Sequence, residues 1–134
     1  LKMSQQLMKP QQGEFVYDYR YDILTFRIKN SNYKMSKEFQ NFVADIDDKN
    51  RVAGIRVFDA SQVFGIDKIA LKNIVYWMFK STVENNVITI IIKFAVKTRN
   101  RIFPLISERE NFFQQITTPA GELSLANSAV TCQV

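Results

Sequence analysis

The carboxylates are the side chains whose types and spacing come closest to a reactive or metal-binding pattern. Asp45, Asp47 and Asp48 form the densest acidic group, and carboxylates two residues apart occur in calcium loops. An EF-hand that began at Asp45 would place Asn50 where glycine is required and Arg56 where a bidentate glutamate is required. We therefore interpret this group as a solvated hairpin turn, and the sequence predicts no metal site.

A second carboxylate pair flanks an earlier turn. Asp18 and Asp22 have the residue type of a glycosidase acid and base pair, but aspartate also accepts backbone hydrogen bonds in turns. Asp59 has the position of a cap for a short segment over residues 61–64. A carboxylate-dependent hydrolase is the least favoured hypothesis, because it needs at least two of Asp18, Asp22, Asp45 and Asp59 to converge in a deep pocket with raised pKa values.

The composition gives little support to other catalytic chemistry. The 134 residues include no histidine, which removes the usual general base, the usual zinc ligand and every triad built on histidine. Cys132 is the single cysteine, and we interpret it as a small buried hydrophobe. The four glycines do not cluster into a phosphate loop. We predict no catalytic residue, no cofactor and a protein that is not an enzyme.

The basic excess lies in the middle third of the chain. The net charge is +5, and residues 68–101 hold seven basic side chains against Glu84. Clustered lysine and arginine are typical of nucleic-acid binding, although a solvated surface is the simpler explanation. The interleaved aromatic residues Trp77, Phe79 and Phe94 are predicted core residues, which weakens a base-stacking function. The candidate nucleic-acid or partner surface comprises Lys68, Lys72, Lys80, Lys93, Lys97, Arg99 and Arg101.

Four short strands precede the basic region. Aromatic and β-branched residues alternate with polar ones there, which is typical of half-buried strands. Asn50 is expected to adopt the left-handed conformation that a tight turn requires. We predict a four-stranded antiparallel meander over residues 14–19, 23–28, 39–46 and 52–58, with a polar loop at 29–37.

A central amphipathic helix is predicted over residues 67–84. Apolar residues surround most of it, whereas Lys68, Lys72, Tyr76 and Lys80 form a narrow stripe at four-residue spacing. Asp67 is a reasonable N-cap for this helix.

A second, mostly β unit follows the predicted helix. Residues 87–99 alternate as one long strand, which we expect to bend or to reach a second subunit. A turn at 99–101 would pair it with an edge strand at 102–106, which holds Pro104. Ser107 and Glu110 have capping-box spacing and suggest a short helix through Phe113, but residues 111–117 would also form a strand.

These elements predict an α+β fold in a single domain over residues 1–134. Its parts are a loose N-terminal segment at 1–13, the meander at 14–64, the helix at 67–84 and the β unit at 87–134. The chain is long enough to bury one core. No signal peptide and no apolar run long enough to cross a bilayer is visible, so we expect a cytoplasmic protein.

The segment over residues 14–61 opens with Tyr17 and Asp18 and closes with Asp59, Ala60 and Ser61. With these motifs it resembles the uncharacterised family DUF2283. The family has no established activity, so the resemblance implies no catalytic residue, although some small members look like antitoxin partners. Asn50 stands where the family usually has glycine, and Arg56 stands where an acidic residue is common. The matching residues are Tyr17, Asp18, Asp22, Leu24 and Phe26 in the opening, Val43, Asp45 and Asp47 in the hairpin, and Val52, Gly54, Ile55, Val57, Phe58, Asp59, Ala60 and Ser61 in the closing segment.

The preferred functional hypothesis is a non-enzymatic binding or interaction module that acts as a homo-oligomer. We expect a dimer, because the predicted helix and the long strand carry surplus apolar surface. The alternative is a basic nucleic-acid-binding or antitoxin-like regulator that uses the seven cationic side chains.

Overall fold

The computed structural model describes residues 10–99, 107–121 and 124–133. Its described residues contain nine strands in one curled sheet, in the order β3-β4-β5-β2-β1-β9-β6-β7-β8. Neighbouring strands are antiparallel except for the short parallel contact between β1 and β9. The elements are β1 (Gln11–Asp18), β2 (Ile23–Ile28), β3 (Tyr33–Glu38), β4 (Phe42–Asp47), β5 (Val52–Val57), α1 (Ala60–Phe64), α2 (Lys68–Leu71), β6 (Ile74–Glu84), β7 (Val87–Arg99), β8 (Ser107–Pro119) and β9 (Ser128–Gln133).

The predicted α+β class and its central helix are wrong, because the fold is mostly β. Residues 67–84 contain only the four-residue helix α2 before the eleven-residue strand β6. This strand is rich in β-branched and aromatic residues, which pack well on a pleated surface. It pairs with β7 on one side and with β9 on the other. Pairing on both sides therefore overrides the apparent helical period.

The apparent helical period came from a spacing that fits both structures. Tyr76 and Lys80 are four residues apart, and an even spacing also places two residues on one face of a strand. Apolar residues occupy both faces of β6, and a bulge between Ile74 and Tyr76 interrupts the alternation. The sequence of β6 consequently lacks the clean alternation of a half-buried strand.

The predicted meander contains the right four strands but has the wrong order. The segment predicted as a polar loop includes β3, an exposed edge strand with charged side chains. In addition, β2 pairs with β5 instead of with β4, its nearest neighbour among the predicted strands. The central place of β5 agrees with its burial, because five of its six residues are buried.

The long hairpin is present with a different second strand. The thirteen-residue strand β7 pairs along its whole length with the thirteen-residue strand β8. The predicted partner at 102–106 lies outside the described residues, and the suggested helix from Ser107 is part of β8 instead. Because β6 and β8 flank β7, its length is accommodated within the sheet of one chain.

The core joins both halves of the chain around Trp77. The ring of Trp77 stacks on Phe26 with centroids 4.6 Å apart and is fully buried. Phe64 of α1 meets the ring of Phe94 edge to face at 4.8 Å, so this short helix fills the concave side of the sheet. Cys132 is half-buried and packs against the same core, close to the predicted buried position.

Two buried serines face each other in this core and differ in their hydrogen bonds. Ser81 and Ser128 are both buried and lie opposite each other on β6 and β9. Ser128 Oγ donates to the Val52 carbonyl at 2.7 Å, whereas Ser81 Oγ has no hydrogen-bond partner. Ser81→Ala should therefore leave the free energy of unfolding unchanged or raise it, and Ser128→Ala should lower it by about 1 kcal/mol. Urea unfolding checks this, and equal losses in the two variants would contradict it.

Candidate functional site

The residues that carry the family resemblance meet at the end of the β1–β2 hairpin. The carboxylate of Asp22 accepts hydrogen bonds from the Tyr17 hydroxyl at 2.7 Å, from Ser61 Oγ at 2.6 Å and from the Ser61 amide at 3.1 Å. The Asp22 carbonyl also accepts from the Ala60 amide at 3.0 Å. Asp59 precedes α1 but makes no side-chain cap bond. Asp22 therefore caps α1 from a position 39 residues before Ser61.

The electrostatics of this network favour an ionised Asp22. Burial raises the pKa of the Asp22 carboxyl, but hydrogen bonds from Ser61 and Tyr17 and the charge of Lys68 outweigh it, so the pKa falls below its usual value. Burial and the hydrogen bond to Asp22 together raise the pKa of Tyr17 above its usual range. A general acid would need a raised carboxyl pKa, so this network is suited to holding structure.

The acidic hairpin is solvated at its turn, where Asp48 is exposed, but not at the two other aspartates of the group. Asp47 is 1% exposed, and its carboxylate accepts from Arg51 Nε at 2.7 Å and from the Lys49 amide at 3.0 Å. Asp45 is half-buried and pairs with the Arg56 guanidinium at 2.7 Å. Both carboxylates belong to the strand β4, although the acidic group was predicted to form the turn after it. Asn50 does have the predicted left-handed conformation.

The aspartates required for a hydrolase do not share a pocket. A cleft of about 740 Å³ lies between the β3–β4 turn and the end of β8, and none of the four aspartates lines it. Asp45 and Asp59 each line a different, smaller cleft. Among the described residues no group of three histidine, cysteine or acidic side chains could hold a metal ion.

Outward-facing side chains of β6, β7 and β8 form the surface that best combines cations with accessible aromatic rings. The strand register places Tyr76, Ala95 and Asn111 in one row across the sheet. The adjacent row holds Met78, Lys93 and Phe113, in that order. We call the outward-facing residues of these three strands the outer face.

A shallow depression of about 300 Å³ lies on the outer face. Tyr76, Lys93, Asn111 and Phe113 contribute to its lining. Ala95 is buried and stands between Tyr76 and Asn111 in the same row. The ring of Phe113 is 54% exposed, and Lys93 Nζ lies 5.7 Å from its centroid. An exposed ring, an amide and an ammonium group therefore border one concave site.

More lysines gather where β1 ends and β6 begins. Lys72 Nζ lies 4.2 Å and Lys68 Nζ 5.3 Å from the centroid of the Tyr19 ring. Lys68 also donates to the Tyr19 carbonyl at 3.3 Å. The aromatic face attracts both ammonium groups and holds them close together. Lys97 and Asp67 line a cleft beside α2 at the same end of the sheet.

The predicted basic surface is thus divided between two neighbouring regions. Lys80, Lys93 and Lys97 alternate with the buried residues of their strands and face outward, and Lys68 and Lys72 lie at α2. The side chain of Arg99 and the whole of Arg101 lie outside the described part. The predicted core positions of Trp77, Phe79 and Phe94 are confirmed.

Sequence reasoning missed the two rings that border the depression on the outer face, the half-buried Tyr76 and the exposed Phe113. Tyr76 was assigned to the polar stripe of a helix, and Phe113 to the end of a short helix. A strand assignment for residues 74–84 would have placed Tyr76 on the same face as Lys80. The doublet Phe112 and Phe113 would then have indicated a strand with one ring on each face.

Comparisons with known proteins show that part of this chain is similar to a family without an assigned activity. Residues 14–61 match the family model described as "Protein of unknown function (DUF2283)", which confirms the resemblance over that segment. A Methanosarcina mazei protein named "Putative hypoxanthine phosphoribosyltransferase" is 28% identical over 89 residues, which cover 66% of this chain and 72% of that protein. An uncharacterized protein of Methanocaldococcus jannaschii is 28% identical over 86 residues, which cover 63% of this chain and 74% of that protein. No solved structure matches the chain significantly.

The described helices are short. Neither α1 nor α2 reaches the length and apolar character that a membrane-crossing helix requires.

Proposed function

We propose that this protein is a non-enzymatic module that binds single-stranded nucleic acid on the outer face of β6, β7 and β8. The observation that carries the proposal is the depression lined by Tyr76, Lys93, Asn111 and Phe113. Exposed aromatic rings stack on unpaired bases, and nearby lysines attract the phosphate backbone. The amide of Asn111 can donate to and accept from the edge of a stacked base.

The charge distribution supports the same ligand. Lys80, Lys93 and Lys97 project from this face, and Glu84, at the β6–β7 turn, is the acidic side chain described on it. Threonine and glutamine occupy many of the remaining outward positions. Such a surface attracts an extended polyanion without repelling it locally. Lys68 and Lys72 would prolong the path of the backbone beyond the sheet.

The geometry favours single strands over duplexes. A ring that lies on a sheet surface can stack on a base only where that base is unpaired. Duplex reading needs a helix or ribbon that enters a groove, and α1 and α2 are only five and four residues long. We therefore expect a mixed-sequence single-stranded oligonucleotide to bind more tightly than the same sequence in duplex form.

A matched pair of charge variants tests the proposal. The first combines Lys72→Gln, Lys93→Gln and Lys97→Gln. The loss of three phosphate contacts should reduce the slope of log affinity against log salt by about 2, which weakens binding about a hundredfold at roughly 0.1 M salt. Fluorescence anisotropy of a labelled single-stranded oligonucleotide over a salt series measures both quantities.

The control variant removes the same charge from the other half of the sheet. It combines Lys34→Gln, Lys37→Gln and Lys49→Gln, all exposed residues near β3 and the β4–β5 turn. Its affinity and salt slope should stay close to those of the unmodified protein. Equal losses of affinity in the two variants would show that only net charge controls binding, and this would contradict a site on the outer face.

The glycines and the acidic group of this chain do not favour the transferase activity in the name of the Methanosarcina mazei relative. Phosphate and pyrophosphate groups are commonly held by glycine-rich loops at helix N-termini. Here Gly13, Gly54, Gly65 and Gly121 lie on separate elements. The carboxylate of Asp47, in the densest acidic group, is already engaged by Arg51.

A further inference from the structure

We propose that a second copy of this chain binds along the free edge of β8, so that the two β8 strands pair antiparallel about a two-fold axis. In the described part of the chain the sheet ends at β3 on one side and at β8 on the other. Each terminal strand leaves a row of backbone donors and acceptors that another strand can use. This inference goes beyond nucleic-acid binding and does not depend on it.

The two edges differ in how they are protected. The edge strand β3 is short, carries Lys34, Lys37 and Glu38, and has a register irregularity between Tyr33 and Met35. Charged side chains, short length and bulges are the devices that prevent edge pairing. The β3 edge is therefore blocked against a partner strand.

The edge of β8 has none of these devices over its second half. Residues 111–119 contain no charged side chain and pair with β7 in continuous register. Phe112, Phe113 and Ile116 give the segment high β-propensity, and Pro119 stands only at its end. An uncharged edge strand in continuous register is a template for another strand.

A second β8 is the occupant that this edge fits best. Antiparallel pairing of a strand with its own copy is self-complementary and closes as a two-fold dimer. The β3 edge of another copy would instead bring lysines, a glutamate and an irregular backbone to the contact. Pairing of two β8 strands would also join the two outer faces into one continuous surface.

Light scattering after size exclusion tests the dimer over a wide concentration range. The unmodified protein should show twice the 15.6 kDa mass of the chain. Gln115→Lys places a cation on the exposed side of the edge strand and faces the same cation in the second copy, so it should shift the protein to monomer. Gln12→Lys is the matched control, because Gln12 is exposed but lies on the interior strand β1.

The outcomes separate clearly. A dimer that Gln115→Lys dissociates and Gln12→Lys does not would support the inference. A monomer at every concentration, or a dimer equally insensitive to both changes, would overturn it. If circular dichroism shows that Gln115→Lys is unfolded, Thr117→Lys makes the same test two residues along the exposed side of β8. Loss of oligonucleotide binding alone would bear on the proposed function and not on the dimer.

Discussion

Replacing Asp22 by alanine should lower the free energy of unfolding by about 3 kcal/mol, because it removes the acceptor of three side-chain hydrogen bonds and the cap of α1. Tyr17 and Ser61 would lose their common partner inside the fold. Asp22→Asn keeps the shape but loses the charge, so its cost should be intermediate. Urea unfolding followed by circular dichroism measures all three proteins.

Asp18→Ala is the matched control for this change. Asp18 lies at the same hairpin, and its carboxylate accepts a hydrogen bond from the exposed Tyr21 amide at 3.0 Å. Removing it should cost well under 1 kcal/mol, as at most exposed turn positions. If Asp18→Ala were as destabilising as Asp22→Ala, the loss of stability would come from any change in the hairpin and not from the hydrogen bonds to Asp22.

The pH dependence of the Asp22 effect has a defined sign. The folded state lowers the pKa of Asp22 below that of the unfolded chain, where aspartate titrates near about 3.9. Its ionisation therefore stabilises the fold fully above the unfolded pKa, and this contribution disappears as the pH falls through the folded pKa. The stability difference between unmodified protein and Asp22→Asn should shrink in acid. A difference that instead grew in acid would contradict the assigned network.

Gly13→Ala should lower the free energy of unfolding by about 2–3 kcal/mol through overpacking. A Cβ atom at Gly13 would lie 2.5 Å from a carbon of the Trp77 ring and 2.6 Å from Val130 Cγ1. Both neighbours are fully buried and cannot move aside freely. The position lies on β1 beside β9, where the two halves of the sheet join.

A double-mutant cycle separates this clash from a general effect of alanine. Trp77→Leu removes the obstructing ring and leaves the contact with Val130 Cγ1, so Gly13→Ala should cost less in that background than in the unmodified protein. Gly65→Ala is a second comparison, because Gly65 has a left-handed backbone with open space around it. It should cost about 1 kcal/mol from backbone strain alone. Additive effects of Gly13→Ala and Trp77→Leu would contradict the close contact.

The sequence predicted strands well where only one face is buried. Alternation in β2 and at Phe15 and Tyr17 is clean because the opposite face is polar. Alternation did not predict β6, because this strand is apolar on both faces, or β3, because its charged sequence resembles a loop. Strand order depends on contacts between distant segments, such as β2 with β5 and β1 with β9, and local periodicity carries no record of them.

The candidate site was predicted in part. Counting charges found Lys93 and Lys97, because an excess of cations is visible without knowing the fold. The shared position of the Tyr76 and Phe113 rings on the outer face became visible only when β6, β7 and β8 were aligned in register. The cap that Asp22 provides for α1 was also missed, since it spans 39 residues and looks like a local turn aspartate in the sequence.

The most direct test of the nucleic-acid proposal is a titration of isotope-labelled protein with a short single-stranded oligonucleotide, followed through the backbone amide signals. Signals of Tyr76, Lys93, Asn111 and Phe113 should shift first and saturate together, while those of β3, β4 and β5 stay in place. Shifts confined to β3, β4 and β5, or no shift at low salt, would contradict binding on the outer face.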